Sequence, residues 1–203
     1  MAEMVYNGQF SQEEADCLFY FLNTGRISLN YAILRRLKHP VRIKETCRMT
    51  AIAIRQLMPG EEKLITPLIR EAFDIHISVN YSAQGVIEFY KYIELAAIRK
   101  RMQQDHEIFI TTSGPGVTGI IELRNNNHIS LLFVKNAHKG TGIGRILLQH
   151  AVDKMKADGV RQITVNSSPN SIGFYASQGF VPIGEEEEER GIRSLSMKLD
   201  LEG

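Results

Sequence analysis

The spacing of apolar residues changes several times along the chain, and each change marks a different element. Residues 51–57 read as a first strand, closed by Pro59-Gly60. Residues 61–73 read as a helix with Leu64, Leu68 and Phe73 among its buried positions; Pro67, inside that pattern, predicts a kink or a late helix start. A polar segment, residues 76–84, precedes a long amphipathic helix over residues 85–104, with Val86, Tyr90, Ile93 and Ala97 at helical spacing. A β-meander follows: residues 107–112, a turn at Gly114-Pro115-Gly116, residues 117–124, a turn at Asn125-Asn126-Asn127, and residues 128–134. A second amphipathic helix runs on from Arg145, and residues 161–165, 180–183 and 192–199 supply three more strands.

The first 48 residues have another character. Ser11-Gln12-Glu13-Glu14 is a capping box for a helix that Asn23-Thr24-Gly25 stops. Ser28 caps a second helix, residues 29–38, with Ile33, Leu34 and Leu37 on one side, Arg35, Arg36 and Lys38 on the other, and Pro40 beyond its end. The chain is therefore expected to divide into a helical hairpin, residues 1–48, and a main domain, residues 49–203. The hairpin covers apolar surface of the main domain or serves as a docking or homodimerisation element; its basic second helix alone suggests a nucleic-acid reader.

Composition narrows these alternatives. A length of 203 residues with 43% hydrophobic content suffices for one well-packed domain and a small appendage. With 24 basic and 23 acidic residues the net charge is +1, so no global field draws nucleic acid or a membrane surface, and neither is an expected partner. Cys17 and Cys47 lack metal-ligand spacing; with no secretory apolar segment at the start of the chain, they are read as reduced thiols of a cytoplasmic protein without a metal. No apolar run approaches the roughly 20 residues that a bilayer requires.

The chemistry concentrates at Lys139-Gly140-Thr141-Gly142-Ile143-Gly144, between the strand ending at Val134 and the helix that begins near Arg145. A strand, a glycine-rich turn and a helix start aim free N–H groups and a helix dipole at one point, which suits a phosphate. A nucleotide P-loop needs Lys-Ser or Lys-Thr after its last glycine, where Arg145-Ile146 stand, and the dinucleotide pattern started at Gly140 needs glycine where Arg145 stands. Both common nucleotide readings fail.

The stretch resembles the acyl-CoA-binding signature of the GNAT superfamily of N-acetyltransferases, Q/R-x-x-G-x-G/A, with Lys139, Gly142 and Gly144 in the defining positions; lysine keeps the charge but not the planar donor fork. A second stretch, Asn166 to Phe180, resembles the family's later signature, a short helix carrying Phe174-Tyr175 and ending at Gly179-Phe180. Ser168 and Ser171 stand where many members have asparagine and alanine. Over about residues 49–201 the resemblance implies an α/β fold with a central mixed, mostly antiparallel sheet flanked by helices, here with the helical hairpin as an N-terminal extension. It implies acetyl-CoA as co-substrate, held by Phe133, Val134, residues 139–145, Ser168 and Phe174, with the strand ending at Val134 splaying from its parallel neighbour to admit pantetheine. The rival is a non-catalytic acetyl-CoA-binding regulator acting through the hairpin.

Transfer to an amine requires a neutral amine, a stabilised oxyanion and a proton for the leaving thiolate. The resemblance places the acid at Tyr175, the oxyanion donor at backbone N–H near Val134, and a base at His128. Glu122, on the preceding strand, competes with His128 by ordering a water; if the asparagine turn is tight, Leu123 opposes His128, and the two candidates face opposite sides of the sheet. The acceptor, a small-molecule or peptide amine, is expected against His76, Asn80, Tyr81 and Ser82 and the loop joining the last two strands. That loop is read as containing Glu185 to Glu189, either a solvated run or an attractor for a cationic amine. His106 and Cys47 have no partner pattern.

Overall fold

The computed structural model describes residues 52–114 and 116–201; the expected hairpin, residues 1–48, lies outside them. Twelve principal elements follow in order: β1 (Ala53–Gln56), α1 (Thr66–His76), α2 (Ala83–Tyr92), α3 (Leu95–Met102), β2 (His106–Ser113), β3 (Gly116–Arg124), β4 (His128–Val134), α4 (Ile143–Ala157), β5 (Gln162–Ser167), α5 (Ile172–Ser177), β6 (Val181–Glu189) and β7 (Ile192–Asp200). The strands form one seven-stranded sheet ordered β1-β2-β3-β4-β5-β7-β6. All neighbours are antiparallel except β4 and β5.

Each sheet face carries its own apolar layer. On one, Ile143, Leu147, Leu148, Ala151, Val152 and Met155 recur at helical spacing along α4 and pack on Ile121, Leu123, Ile129, Ile163, Val165 and Met197. On the other, α1, α2 and α3 bring Leu68, Ile69, Phe73, Phe89, Ile93 and Ile98 onto Ile108, Ile110, Ile120, Leu131 and Phe133. Ile129 faces α4 whereas Leu131 faces α1, because Leu123 pairs with Ile129 and Glu122 with Leu131: Ser130 is an extra residue that reverses the alternation of β4.

Of the two alternatives at Pro67 the late start holds: helix α1 begins at Thr66, with Pro67 in its first turn, where a missing N–H costs nothing. Two expectations are corrected. The single long helix over residues 85–104 is two helices, with Glu94 extended between them (φ −60°, ψ 144°). Ile93 and Ile98 are five residues apart and would diverge by about 140° on one continuous helix; the break lets both be fully buried. Glu185 to Glu189 are not a loop but the second half of β6, paired through Glu186–Leu195, Glu187–Ser194, Glu188–Arg193 and Glu189–Ile192. On an edge strand these carboxylates project alternately to either side and discourage a further strand from pairing there.

Candidate functional site

Strands β4 and β5 are joined through only two pairs, His128–Thr164 and Ile129–Val165, and then separate. Beyond Ile129 a cleft of about 550 Å³ opens between the end of β4, the glycine-rich turn, the end of α1 and the segment following β5. Of the residues singled out in the sequence, Phe133, Val134, Lys139, Gly140, Gly142, Ile143, Gly144, Arg145, Phe174 and Tyr175 line it. Thr141 and Ser168 are not among its lining residues: the Thr141 hydroxyl donates to the His138 carbonyl at 2.7 Å, and Ser168 donates to the hydroxyl of Ser171, which does line the cleft.

The glycine-rich turn is built from left-handed backbone at a helix start. Gly140 (φ +80°) and Gly142 (φ +87°) take left-handed conformations, and a Cβ at either would project into open space, so backbone conformation rather than crowding selects glycine. Gly142 is the N-cap of the 15-residue helix α4 with no side-chain cap. Among the described residues the N–H groups of Gly140, Gly142, Ile143 and Gly144 have no hydrogen-bond partner, which leaves a row of donors at a helix N-terminus.

Strand β4 supplies further donors. Lys135 N–H donates to the Thr118 carbonyl at 2.9 Å. Alternation in an antiparallel ladder then turns the N–H of Val134 away from β3, toward the gap from which β5 has parted. Tyr175 lies on the opposite wall. It is 5% exposed, with its ring edge-on to Phe174 at 5.2 Å and to Phe180 at 5.3 Å between centroids. Its hydroxyl has no hydrogen-bond partner among the described residues, and burial pushes the phenol well above its usual range, so it remains protonated.

An acetyltransferase (GNAT) domain model matches residues 77–201, well over half of the chain. The chain belongs to the GNAT acetyltransferase family. Solved structures of the same fold include a GCN5-related N-acetyltransferase from Rhodopseudomonas palustris (20% identity, 75% of this chain and 98% of that one, TM-score 0.67). The PaiA N-acetyltransferase of Thermoplasma acidophilum, in complex with coenzyme A, is 20% identical over 74% of this chain and 99% of its own (TM-score 0.64). The Salmonella typhimurium protein YncA, with its cofactor acetyl-CoA, is 20% identical over 75% and 95% (TM-score 0.56). The mixed sheet and its flanking helices are thus the GNAT arrangement.

The two base candidates of this GNAT acetyltransferase lie outside the cleft lining, in a polar band across β2, β3, β4 and β5. Three residues, Asn125 to Asn127, form the β3–β4 turn, so Arg124 rather than Leu123 opposes His128. Glu122, Arg124 and His128 consequently share one face, contrary to the expectation from a tight hairpin. Glu122 is fully buried and doubly engaged. Arg101 donates through Nε at 2.7 Å and Nη2 at 3.2 Å, and His106 Nδ1 lies 2.7 Å from the same carboxylate. Burial alone would raise its pKa, but His106 and Arg101 more than offset this and hold the carboxyl below its usual range. Arg101 is itself seated 3.7 Å over the Tyr92 ring.

His128 Nδ1 is 2.8 Å from Thr164 Oγ1. Burial, then the charges of Arg124 and His106, lower its pKa to about 4, so the imidazole is neutral near pH 7. The partners of Glu122 had no signal in local spacing; pairing the two arms of the β2–β3 hairpin would have found His106, because His106 opposes Arg124 and therefore shares a face with Glu122. The acceptor candidates separate as well. His76 lines the cleft, Tyr81 packs edge-on to Phe73 at 5.5 Å, and Ser82 caps α2 by accepting from Gly85 N–H at 3.1 Å. Asn80 Nδ2 is buried without a partner among the described residues.

Proposed function

We propose that this GNAT acetyltransferase moves the acetyl group of acetyl-CoA directly to a primary amine within a ternary complex. The observation that carries the reading is the cleft itself: the gap between β4 and β5 has at one end a row of N–H donors unpaired among the described residues, and Tyr175 lines its wall. The donors at Gly140, Gly142, Ile143 and Gly144 would hold the pyrophosphate, with Lys139 and Arg145 adding positive charge, and the pantetheine arm would lie against Phe133, Val134 and Phe174. That the donor structures of PaiA and YncA contain coenzyme A and acetyl-CoA supports the same ligand here.

Acetyl-CoA supplies the thioester; the chain supplies the rest. The amine nitrogen attacks the carbonyl carbon, and the oxygen that becomes negative is met by the Val134 N–H. As the C–S bond breaks, the sulfur leaves with the bonding electrons and takes the Tyr175 hydroxyl proton. The acetylated nitrogen loses its extra proton through water to His128. We assign this last role to His128 rather than Glu122, because the Glu122 carboxylate is occupied by Arg101 and His106 whereas His128 is neutral and, with Nδ1 held by Thr164, keeps Nε2 to receive a proton. The test is thiol release from acetyl-CoA on adding primary amines: release that depends on the amine and yields its acetamide supports direct transfer, and an acetylated protein formed without amine contradicts it.

A further inference from the structure

The connection between α1 and α2 lies across the parted strands and is fastened on both sides of the gap. At its start the His76 ring holds the segment following β4, with Nε2 3.0 Å from Asn136 Oδ1 and Nδ1 3.5 Å from Lys139 Nζ. The carbonyl of the same residue accepts from the Asn170 amide, on the turn that follows β5. At its far end Ser82 N–H donates to the Gly191 carbonyl at 3.0 Å, in the turn between β6 and β7. These anchor points follow the sheet order β4, β5, β7, β6, so the connection forms a strap over the C-terminal ends of β4 and β5.

The join at Gly191 has no room for larger residues. A Cβ at Gly85 would stand 2.2 Å from the Gly191 carbonyl oxygen, and one at Gly191 would stand 1.8 Å from Ser82 Oγ. Gly191 also has φ +81°, which favours glycine independently of space. Two glycines and a serine thus bring the strap and the hairpin turn into backbone contact.

We propose that this strap excludes polypeptide acceptors and makes the acceptor a small free amine. The inference rests on the amine-transfer reading above and names its substrate class. A lysine within a polypeptide brings extended backbone on both sides, at about 3.3 Å per residue, and that backbone has to pass the strap, whose start at His76 and Ile77 lines the cleft. A small amine makes no such demand.

The experiment compares acetyl-CoA-dependent acetylation of small mono- and diamines with that of short lysine-containing peptides blocked at both ends, in the wild type and in two strap variants. Gly191→Val forces a side chain into the join. Ser82→Pro removes the N–H donor at a residue whose φ, −68°, proline already fits, after an extended Tyr81 (ψ 148°). In the wild type, kcat/KM for small amines exceeds that for peptides by at least about 100-fold, and each folded variant narrows the ratio about tenfold or more by raising the peptide rate. Comparable wild-type rates for both classes, or an unchanged ratio in both variants, overturns the proposal. A protein that binds acetyl-CoA but acetylates no amine of either class overturns the amine-transfer reading instead, a result separable from the first two.

Discussion

His128 and Thr164 meet across the first of the two pairs that join β4 to β5, with Nδ1 2.8 Å from Oγ1, one residue pair before the strands part. The contact ties the proposed base to the point where the cleft begins and engages its Nδ1. Burial of the ring, with the charges of Arg124 and His106, lowers the imidazole pKa to about 4.

That shift gives a signed pH dependence. An unfolded histidine titrates near about 6.5, whereas His128 in the folded chain refuses a proton until about pH 4. Between those values the unfolded state binds more protons. His128 therefore favours the folded state fully above about pH 6.5, this contribution is lost as pH falls toward 4, and below that no further loss arises from this residue. Thermal unfolding followed from pH 7 to 4 should show a steeper fall for wild type than for His128→Gln. The difference is at most about 1.4 kcal/mol per pH unit before solvent screening reduces it. In kcat/KM the acid limb belonging to His128 should lie near pH 4.

Tyr175→Phe keeps the ring contacts with Phe174 and Phe180 and removes only the hydroxyl. The expected result is a kcat lower by about 10²-fold or more, with acetyl-CoA affinity within about twofold of wild type, read from thiol release and titration calorimetry. An unchanged kcat would remove Tyr175 from the mechanism.

Glu122→Gln should damage stability before it damages chemistry. It leaves the Arg101 guanidinium, which is 12% exposed, without its carboxylate beside His106. Loss of one partner of a buried pair costs about 3–5 kcal/mol, and urea unfolding measures it. If Glu122 instead acted as the base, the variant would lose turnover while keeping its unfolding midpoint.

Gly119 links the sheet to the start of α4. A Cβ there would stand 2.8 Å from Ile143 Cγ2, 2.9 Å from Leu147 Cδ1 and 2.9 Å from Thr111 Oγ1, so Gly119→Ala pushes the first turn of α4 off β3. Overpacking of this kind costs about 1–3 kcal/mol. Because Ile143 opens α4 and lines the cleft, acetyl-CoA affinity should weaken together with stability, in calorimetry and thermal unfolding respectively.

What the sequence revealed was local. Gly140 and Gly142 are visible because left-handed backbone at a helix start demands glycine, and Phe174-Tyr175 because it lies on a short helix at a fixed distance from Gly179. What it concealed depended on register between distant strands. The asparagine turn holds three residues rather than two, and that single difference moves His128 to the same face as Glu122. The carboxylate of Glu122 is claimed by Arg101 from α3 and His106 from β2, neither adjacent in sequence. The acidic run 185–189 was readable as charge, but its conformation is set by pairing with β7, which makes it part of the edge strand β6. The strap through His76 and Ser82 likewise depends on Asn170 and Gly191, about one hundred residues away.

Donor binding at the glycine-rich turn between β4 and α4 is open to titration calorimetry of acetyl-CoA into wild type and Gly142→Glu. Gly142 lines the cleft, and a side chain there would project from a left-handed residue into open space and set a carboxylate beside the N–H donors proposed to hold the pyrophosphate. Wild type should bind saturably and the folded variant should lose that binding. Absence of wild-type binding, or undiminished binding by the variant, would rule out the turn as the donor site.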